Sequence, residues 1–268
     1  MKIFHEAPIS IFEDVQKITD GDYALVHLLD SNPAYAEKFM HARFKGREII
    51  LDNSAFELGE SFDPEKFVEW IDILEPDYYV IPDKLRDAVA TVDMLTDFVK
   101  TYNIDPKYKS IGVVQGRTYE ECVWCYMQMV DVVDKIAFNI SYAPSHVPDV
   151  ERYLVRPRYL TLMLEDGIIR KDKPHHLLGV ILPQEMKYYR DRPDKFFWID
   201  SVDTSNPVIA GMHLIRYYSQ GMDYKIPNGI GEYMDYEVSI VQKNRIEQNI
   251  AEFRRMCGGD LYDVDNAR

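Results

Sequence analysis

The chain has 268 residues, of which 46% are hydrophobic, and 45 acidic against 31 basic side chains give it a formal net charge of −14. A chain of this length can form one large core, and an eight-stranded α/β barrel typically takes about 250 residues. The acidic balance argues against a general nucleic-acid coat protein and leaves only local basic patches for a polyanion.

Cysteine content and hydropathy bear on the cellular compartment. The three cysteines follow no regular framework, which points to a reducing compartment and away from a disulfide-stapled secreted domain. No stretch resembles a signal peptide, and no apolar run approaches the roughly 20 residues needed to cross a bilayer. We therefore expect a cytoplasmic protein that is not inserted in a membrane.

Short apolar runs alternate with amphipathic stretches along most of the chain. Eight strands are predicted, at 2–5, 23–29, 47–51, 78–81, 110–114, 135–138, 175–180 and 196–199. Helices are predicted at 33–44, 64–74, 85–102, 118–130, 183–189, 207–219 and 236–256. Residues 149–164 are predicted to be helical in part, with a break at Arg156-Pro157.

This alternation predicts the fold class. Strand followed by helix implies a parallel sheet, and eight such units favour a closed (β/α)8 TIM barrel over an open doubly wound sheet. No GxGxxG motif follows an early strand, which counts against the open dinucleotide-binding alternative. We expect an α/β chain of one domain, with the barrel over about 1–220 and a C-terminal loop and helix over 221–268.

Polar residues stand where several predicted strands end. In FFWIDSVDTSNP, at 196–207, the predicted strand 196–199 ends in Asp200. Four other predicted strands end in a similar way, at Asp52, Asp83, Gln115 and Asn139. Active sites of parallel barrels are built at the carboxyl ends of the strands, so these side chains are expected to converge on one pocket.

Six segments, taken in order, resemble motifs of the tRNA-guanine transglycosylase superfamily, barrel enzymes that exchange a guanine base for a 7-deazaguanine. They are ILDNSAF at 50–56, VIPD at 80–83, IGVVQG at 111–116, KIAFNIS at 135–141, KPHHLLGVILPQE at 173–185 and WIDSVDTSNP at 198–207. The resemblance implies a pentosyltransferase on a TIM barrel. Each motif alone is weak evidence for the superfamily, and the specificity of the resemblance comes from the six motifs occurring in order.

The chemistry of base exchange passes through an oxocarbenium-like transition state and needs two carboxylates. The resemblance gives the role of nucleophile to Asp200 and that of proton carrier between the two bases to Asp52. Without the resemblance, a helix N-cap or turn residue at the end of a strand is the favoured interpretation of Asp52.

Recognition of the base falls to a second group of residues. A carboxylate at Asp83 can accept from both N1–H and N2–H of guanine, a pattern that adenine does not offer. The resemblance implies that Gln115 and the backbone N–H of Ile140 or Ser141 donate to O6, with Asn139 beside them. Further implied contacts are stacking of Phe56 and Leu178 on the two faces of the base and a close backbone approach to the sugar-phosphate at Gly179. Taken without the resemblance, Phe56 fits a core position better than a stacking surface for a base.

The zinc site that the superfamily places after its last strand, Cys-x-Cys-x-x-Cys with a histidine, has no counterpart here. Because that zinc element helps the superfamily hold tRNA, the chain looks more like the short branch from phages and DNA-modification clusters, which inserts 7-deazaguanines into DNA. The implied substrates are a guanine flipped from DNA, most cheaply from a single or melted strand, and a 7-cyano- or 7-aminomethyl-7-deazaguanine. Neither a metal nor an organic cofactor is implied, and a helper protein or a homodimer stays an open alternative.

Other functions stay open as alternatives. One is the same exchange on tRNA, a second is a glycoside hydrolase that uses Asp52 and Asp200, and a third is a non-catalytic barrel that binds a nucleobase or a partner protein. Cys122 and Cys125 have CxxC spacing but lie inside a predicted helix, so we expect no metal site there. Of the pair His175-His176, one ring is expected to pack in the core.

Two basic clusters flank the last two predicted strands. They comprise Arg152, Arg156, Arg158, Arg170, Lys171 and Lys173, and then Lys187, Arg190, Arg192 and Lys195. Such clusters either follow the phosphates of a nucleic acid or form a solvated charged face.

Overall fold

The computed structural model describes residues 1–139, 151–180, 182–224, 226 and 229–259. Eight parallel strands form one sheet in the order β1-β8-β7-β6-β5-β4-β3-β2. The strands are β1 (Lys2–Phe4), β2 (Asp22–Leu25), β3 (Ile49–Asp52), β4 (Tyr78–Val80), β5 (Lys109–Val114), β6 (Lys135–Asn139), β7 (His175–Leu178) and β8 (Ile199–Asp203). A parallel bridge between Phe4 and Gly21 brings the two edges together, so the predicted (β/α)8 TIM barrel is confirmed.

Helices connect the strands and cover the outside of the barrel. They are α1 (Phe12–Gln16), α2 (Val26–Ser31), α3 (Pro33–Phe44), α4 (Ala55–Leu58), α5 (Pro64–Leu74), α6 (Ala88–Thr101), α7 (Tyr119–Met129), α8 (Val155–Glu165), α9 (Glu185–Arg190), α10 (Pro193–Phe196), α11 (Asn206–Met212) and α12 (Ile240–Met256). Among the described residues, no helix is both long enough and apolar enough to cross a lipid bilayer.

Local sequence signals account for several helix starts. The Asp63 side chain accepts a hydrogen bond from the backbone N–H of Lys66, and Pro64 is the first residue of α5. Proline fits there because its missing N–H would have no partner inside the helix. Thr118 caps α7 in the same way by accepting from the N–H of Glu121. Both predicted starts are confirmed.

The strand predicted at 23–29 is shorter in the structure. β2 ends at Leu25, and the following residues form α2, with Val26 and Leu29 buried. A short apolar run fits a buried helix as well as a buried strand, and periodicity alone does not separate the two.

The prediction of a strand at 196–199 is wrong. Pro193–Phe196 is the short helix α10, and Phe197 is 65% exposed, which does not fit a strand buried on both faces. Pro193 at the first helical position explains the helix, because its ring fixes φ at a helical value. β8 therefore begins at Ile199, and the residue at its carboxyl end is Asp203 rather than Asp200.

The expected break at Arg156-Pro157 is also wrong. α8 begins at Val155 and continues through Pro157 to Glu165. Pro157 lies in the first turn of the helix, where a backbone N–H has no partner in the preceding turn, so the proline costs no hydrogen bond.

The C-terminal helix packs against the last barrel helix. Ser239 and Gln242 form a capping box at the start of α12, so the helix begins four residues later than the predicted 236. A Cβ at Gly211 of α11 would lie 2.4 Å from the Ile246 side chain, so glycine is needed for this close approach. Asn249 accepts from Tyr217 N–H at 2.9 Å and fixes the segment between the two helices.

Candidate active site

A cavity opens at the carboxyl ends of the strands, where parallel barrels carry their active sites. The cavity is acidic: five acidic residues line it, and no lysine or arginine of the described part of the chain does. The acids that line it are Glu6, Asp52, Glu57, Asp83 and Asp203. A cavity of this kind favours ligands that offer hydrogen-bond donors.

Asp52 is the last residue of β3 and is buried. Its Oδ1 accepts a hydrogen bond from the Tyr23 hydroxyl at 3.1 Å, and its Oδ2 accepts from the backbone N–H of Ser54 at 3.1 Å. Burial raises the pKa of Asp52 well above its usual range, and the nearby charges of Glu57, Asp83 and Asp203 add to the rise. Such a carboxyl group is suited to carry a proton at neutral pH.

Asp83 follows β4 and is fixed by two amide side chains. Asn53 Nδ2 donates to Oδ1 at 2.7 Å, and Gln115 Nε2 donates to Oδ2 at 2.6 Å. Burial raises the pKa of Asp83 to about 6, against the effect of the bonds from Asn53 and Gln115. The carboxylate is therefore ionised at neutral pH and held in one orientation.

Gln115 lies behind Asp83 and does not itself line the cavity. Its Oε1 accepts from the backbone N–H of Arg86 at 3.0 Å, so both ends of the amide are engaged. The observed contacts of Gln115 orient Asp83, and its contact with guanine O6 stays a prediction.

Asp203 is the last residue of β8 and is 5% exposed. Its Oδ1 lies 2.8 Å from His176 Nε2 and accepts from the backbone N–H of Gly179 at 3.1 Å. Gly179 has a φ of +66°, a conformation that glycine adopts without strain. Both contacts hold the same oxygen of the carboxylate.

Glu6 follows β1 and is 8% exposed, with its side chain against the cavity. Among the described residues, its Oε2 has no hydrogen-bond partner. Burial raises the pKa of Glu6 well above its usual range, and the charge of Asp203 adds to the rise. A buried carboxyl oxygen without a partner is costly, which makes Oε2 of Glu6 a candidate contact for a bound ligand.

The structure does not bring Asp200 to this cavity. Asp200 is the second residue of β8, and its Oδ2 accepts from Lys135 Nζ at 2.9 Å. Lys135 is the first residue of β6, so the pair lies near the amino ends of the strands. The prediction that Asp200 stands at the carboxyl end of its strand is wrong because β8 starts three residues later than predicted.

Besides Asp83, four of the predicted base contacts line the cavity. They are Phe56, Asn139, Leu178 and Gly179. The Phe56 side chain is 53% exposed in α4, so it lies at the cavity and not in the core. Ile140 and Ser141 lie outside the described residues.

Arg156 is not part of a surface track. Its side chain is fully buried and donates to Glu185 Oε1 at 2.7 Å. It also donates to the backbone oxygens of Phe138, Leu178 and Gly179, at 2.8, 3.1 and 2.8 Å respectively. Arg156 thus ties the carboxyl ends of β6 and β7 together below the cavity.

Most of the other predicted basic residues are turned away from the cavity by the topology. Those that directly precede β7 or β8, near the amino ends of the strands, are Arg170, Lys171, Lys173, Arg192 and Lys195. Arg170 pairs with Asp131 and Asp172. These residues cannot follow a strand of nucleic acid into a cavity at the opposite end of the barrel.

A second concavity lies beside the first. It is lined by Arg86, Asp87, Ala88, Val89, Arg117, Glu120, Glu121 and Trp124. Arg86 and Arg117 follow β4 and β5, so both lie at the same end of the barrel as the acidic cavity, and the Trp124 side chain is 41% exposed.

The cysteines and the neighbouring histidine have packing roles. Cys122 and Cys125 are free thiols buried along α7, and burial raises their pKa values to about 11 and about 12. His175 packs between the rings of Tyr126 and Trp198. Within the described ranges, no three His, Cys, Asp or Glu side chains are grouped to hold a metal ion.

No protein-family model matches the chain, and a search of curated proteins finds no significant match. The chemistry of the site therefore has to be inferred from its own side chains.

Sequence reasoning missed Asp203, His176, Glu6 and Asn53 as members of the site. Asp203 and Glu6, like Asp52, lie at or just after the carboxyl end of a strand, where barrel active sites are built. Asp203 is the last residue of β8, and Glu6 lies two residues after β1. His176 could have been found from strand geometry. Adjacent residues of a strand face opposite sides, so only one of the two neighbouring histidines points into the barrel.

Proposed function

We propose that the chain is a transglycosylase that exchanges guanine in DNA for a 7-deazaguanine, with Asp203 as the nucleophile and Asp52 as the proton carrier. The observation that carries the proposal is the meeting of three acids, Asp52, Asp83 and Asp203, from three strand ends in one cavity. All three lie in segments that resemble the transglycosylase motifs, and Asp203 belongs to the same segment as Asp200.

The proposed reaction gives Asp203 and Asp52 different roles. In the first displacement, Oδ2 of Asp203 forms a bond to C1′ of the deoxyribose while the C1′–N9 bond breaks. The electron pair of that bond leaves with guanine, which takes a proton from the carboxyl group of Asp52. The incoming base then returns a proton to Asp52 and attacks C1′, which releases the Asp203 carboxylate.

Recognition of guanine is supported by the fixed carboxylate of Asp83. Each of its oxygens already accepts one amide hydrogen, from Asn53 or Gln115, and each has a further lone pair. Adjacent N1–H and N2–H groups of guanine can fill both positions. Adenine cannot, so Asp83 would reject it.

A polymer substrate is supported by the second concavity. Arg86 and Arg117 line it together with three acidic residues, so it is closer to charge balance than the acidic cavity, and the exposed Trp124 side chain provides a stacking surface for a neighbouring base. The absence of the superfamily's cysteine-rich zinc motif from the sequence favours DNA over tRNA.

Nucleoside mass spectrometry tests this function. DNA and tRNA are digested from cells that express the chain or its Asp203→Ala variant, with 7-cyano- and 7-aminomethyl-7-deazaguanine supplied in separate cultures. We expect a deazaguanine deoxynucleoside only with the unmodified chain. A deazaguanine found only in tRNA would show that the substrate is tRNA and not DNA. The absence of a deazaguanine from both nucleic acids would refute base exchange.

A further inference from the structure

A continuous series of polar side chains crosses the barrel interior from the cavity towards the amino ends of the strands. We call it the polar column, and its members are Asp203, His176, Ser201, Lys135 and Asp200. His176 Nε2 lies 2.8 Å from Asp203 Oδ1, and His176 Nδ1 lies 2.9 Å from Ser201 Oγ. Lys135 Nζ then donates to Ser201 Oγ at 3.3 Å and to Asp200 Oδ2 at 2.9 Å.

The column is buried except at Asp200, whose side chain is 35% exposed, and Lys135 is its cation beside two aspartates. The side chain of Lys135 is fully buried, and His176 is 1% exposed. Besides the two hydrogen bonds, the Lys135 ammonium lies 4.0 Å from the ring centroid of Tyr78. Buried polar groups are costly unless every one of them is bonded, and here a lysine, a hydroxyl and an imidazole satisfy one another between two aspartates.

The hydrogen-bond partners specify the tautomer that a neutral imidazole adopts at His176. An ionised Asp203 can only accept, so His176 Nε2 must carry the hydrogen that faces it. A neutral imidazole then accepts at Nδ1, and the donor must be the hydroxyl of Ser201. That hydroxyl has one hydrogen and two acceptors within reach, because Asp200 Oδ1 lies 3.1 Å away. The Ser201 hydroxyl can turn its hydrogen from Asp200 to His176 because Asp200 keeps a donor from Lys135 at its other oxygen, Oδ2.

The consequence for Asp203 concerns which oxygen can react. Oδ1 is held by His176 Nε2 and by the backbone N–H of Gly179. In the described part of the chain, no hydrogen bond to Oδ2 is found. A carboxylate fixed through one oxygen presents the other in a defined direction, which is the preorganisation that attack on a sugar carbon needs.

We propose that His176 is a positioning residue for the Asp203 nucleophile, and that Ser201, Lys135 and Asp200 set its tautomer from the far end of the barrel. This inference rests on the proposed function, since it assigns Asp203 the attacking role. It also assigns Asp200 a remote part in the reaction, without contact with the substrate.

Single-turnover capture tests the inference. The protein is mixed with a guanine-containing DNA strand without incoming base, and the covalent adduct is followed with time, while guanine affinity is measured separately by calorimetry. His176→Phe keeps a ring but removes the donor, and capture should slow by on the order of 100-fold with guanine affinity little changed. His176→Gln restores an N–H donor and should recover a large part of the rate.

A matched control lies one residue away. His175→Phe makes the same change on the other face of β7, where Nε2 of His175 lies 3.1 Å from the Tyr126 hydroxyl. Capture should stay within about threefold of the unmodified rate, because this substitution removes no hydrogen bond of the polar column. Ser201→Ala and Asp200→Asn keep the test independent of whether His176→Phe folds, and each should slow capture by roughly 10-fold.

Each result has one meaning. Unchanged capture in a folded His176→Phe protein, or in both Ser201→Ala and Asp200→Asn, would overturn the positioning role while leaving base exchange intact. An equal loss of guanine affinity and capture rate would reduce His176 to a structural residue. An unmodified protein that forms no adduct would remove the proposed function itself, and the inference with it.

Discussion

The ring of Tyr23 lies parallel to the ring of His176, with an interplanar angle of 8° and 6.2 Å between the centroids. The hydroxyl of the same tyrosine donates to Asp52 at 3.1 Å. Tyr23 therefore contacts both Asp52, the proposed proton carrier, and His176, the residue proposed to position Asp203.

Tyr23→Phe tests that connection. The substitution removes the hydrogen bond to Asp52 and keeps the ring against His176, so we expect exchange to slow by about 10-fold and stability to fall by roughly 1 kcal/mol. Steady-state exchange of labelled guanine and thermal unfolding measure the two effects. A variant that exchanges guanine at the unmodified rate would show that Asp52 does not need this donor.

Asp83→Asn should abolish the preference for guanine. The amide offers one acceptor where the carboxylate offers two, and its NH2 group would face the donors of Asn53 or Gln115. We expect guanine affinity to fall by on the order of 100-fold, as for the loss of a charge-assisted pair. Calorimetric titration with guanine measures this, and Asp97→Asn on the exposed face of α6 is the control. Retained affinity would mean that the base binds elsewhere.

The raised pKa of Asp83 should add stability to the ligand-free protein as the pH falls from 7 to 5. The folded-state pKa of Asp83 is about 6 against an ordinary value of 3.8, so the folded protein takes up the proton first. The stabilisation is complete below the ordinary value and is lost as the pH rises through about 6. Between pH 7 and pH 5 this group contributes about 1.4 kcal/mol.

Urea unfolding at pH 5, 6 and 7 measures this dependence. Other buried groups have shifted pKa values, raised for Asp52, Glu6 and Glu57 and lowered for His5 and His175, so the comparison of the unmodified protein with Asp83→Asn isolates the one group. As the pH falls from 7 to 5, the unmodified protein should gain stability relative to the variant. Identical slopes for the two proteins would mean that Asp83 does not titrate in this range.

Arg156→Met should destabilise the fold by about 3–5 kcal/mol, because it leaves the Glu185 carboxylate buried without its charge partner. Adding Glu185→Leu removes that charge and should restore part of the stability. Exchange activity should stay low in the double variant, since the backbone oxygens of Leu178 and Gly179 still lack their donor. Full recovery of activity would show that Arg156 serves stability alone.

The barrel could be predicted from the sequence because its signals are local. Apolar runs alternate with capped helices, and Asp63 and Thr118 mark two helix starts that the structure contains. The carboxyl ends of parallel strands meet at one end of a barrel, so Asp52, Asp83 and Asn139 could be assigned to one cavity before their distances were known.

The rest of the site depends on information that the local pattern lacks. The run FFWI is as apolar as a strand, and only tertiary packing reveals that Phe196 ends a helix and Phe197 is exposed. That shift of register moved the predicted acid from Asp203 to Asp200. The polar column could not be predicted either, because it joins residues of three strands whose spacing along the chain carries no pattern.

Mapping the covalent adduct tests the central claim most directly. The protein is trapped with a guanine-containing DNA strand, digested with nuclease and protease, and the peptide that carries deoxyribose is sequenced by mass spectrometry. We predict that the sugar is attached to Asp203, that Asp203→Asn forms no adduct, and that Asp200→Asn forms the same adduct more slowly. An adduct on Asp200, or undiminished capture by Asp203→Asn, would contradict the account.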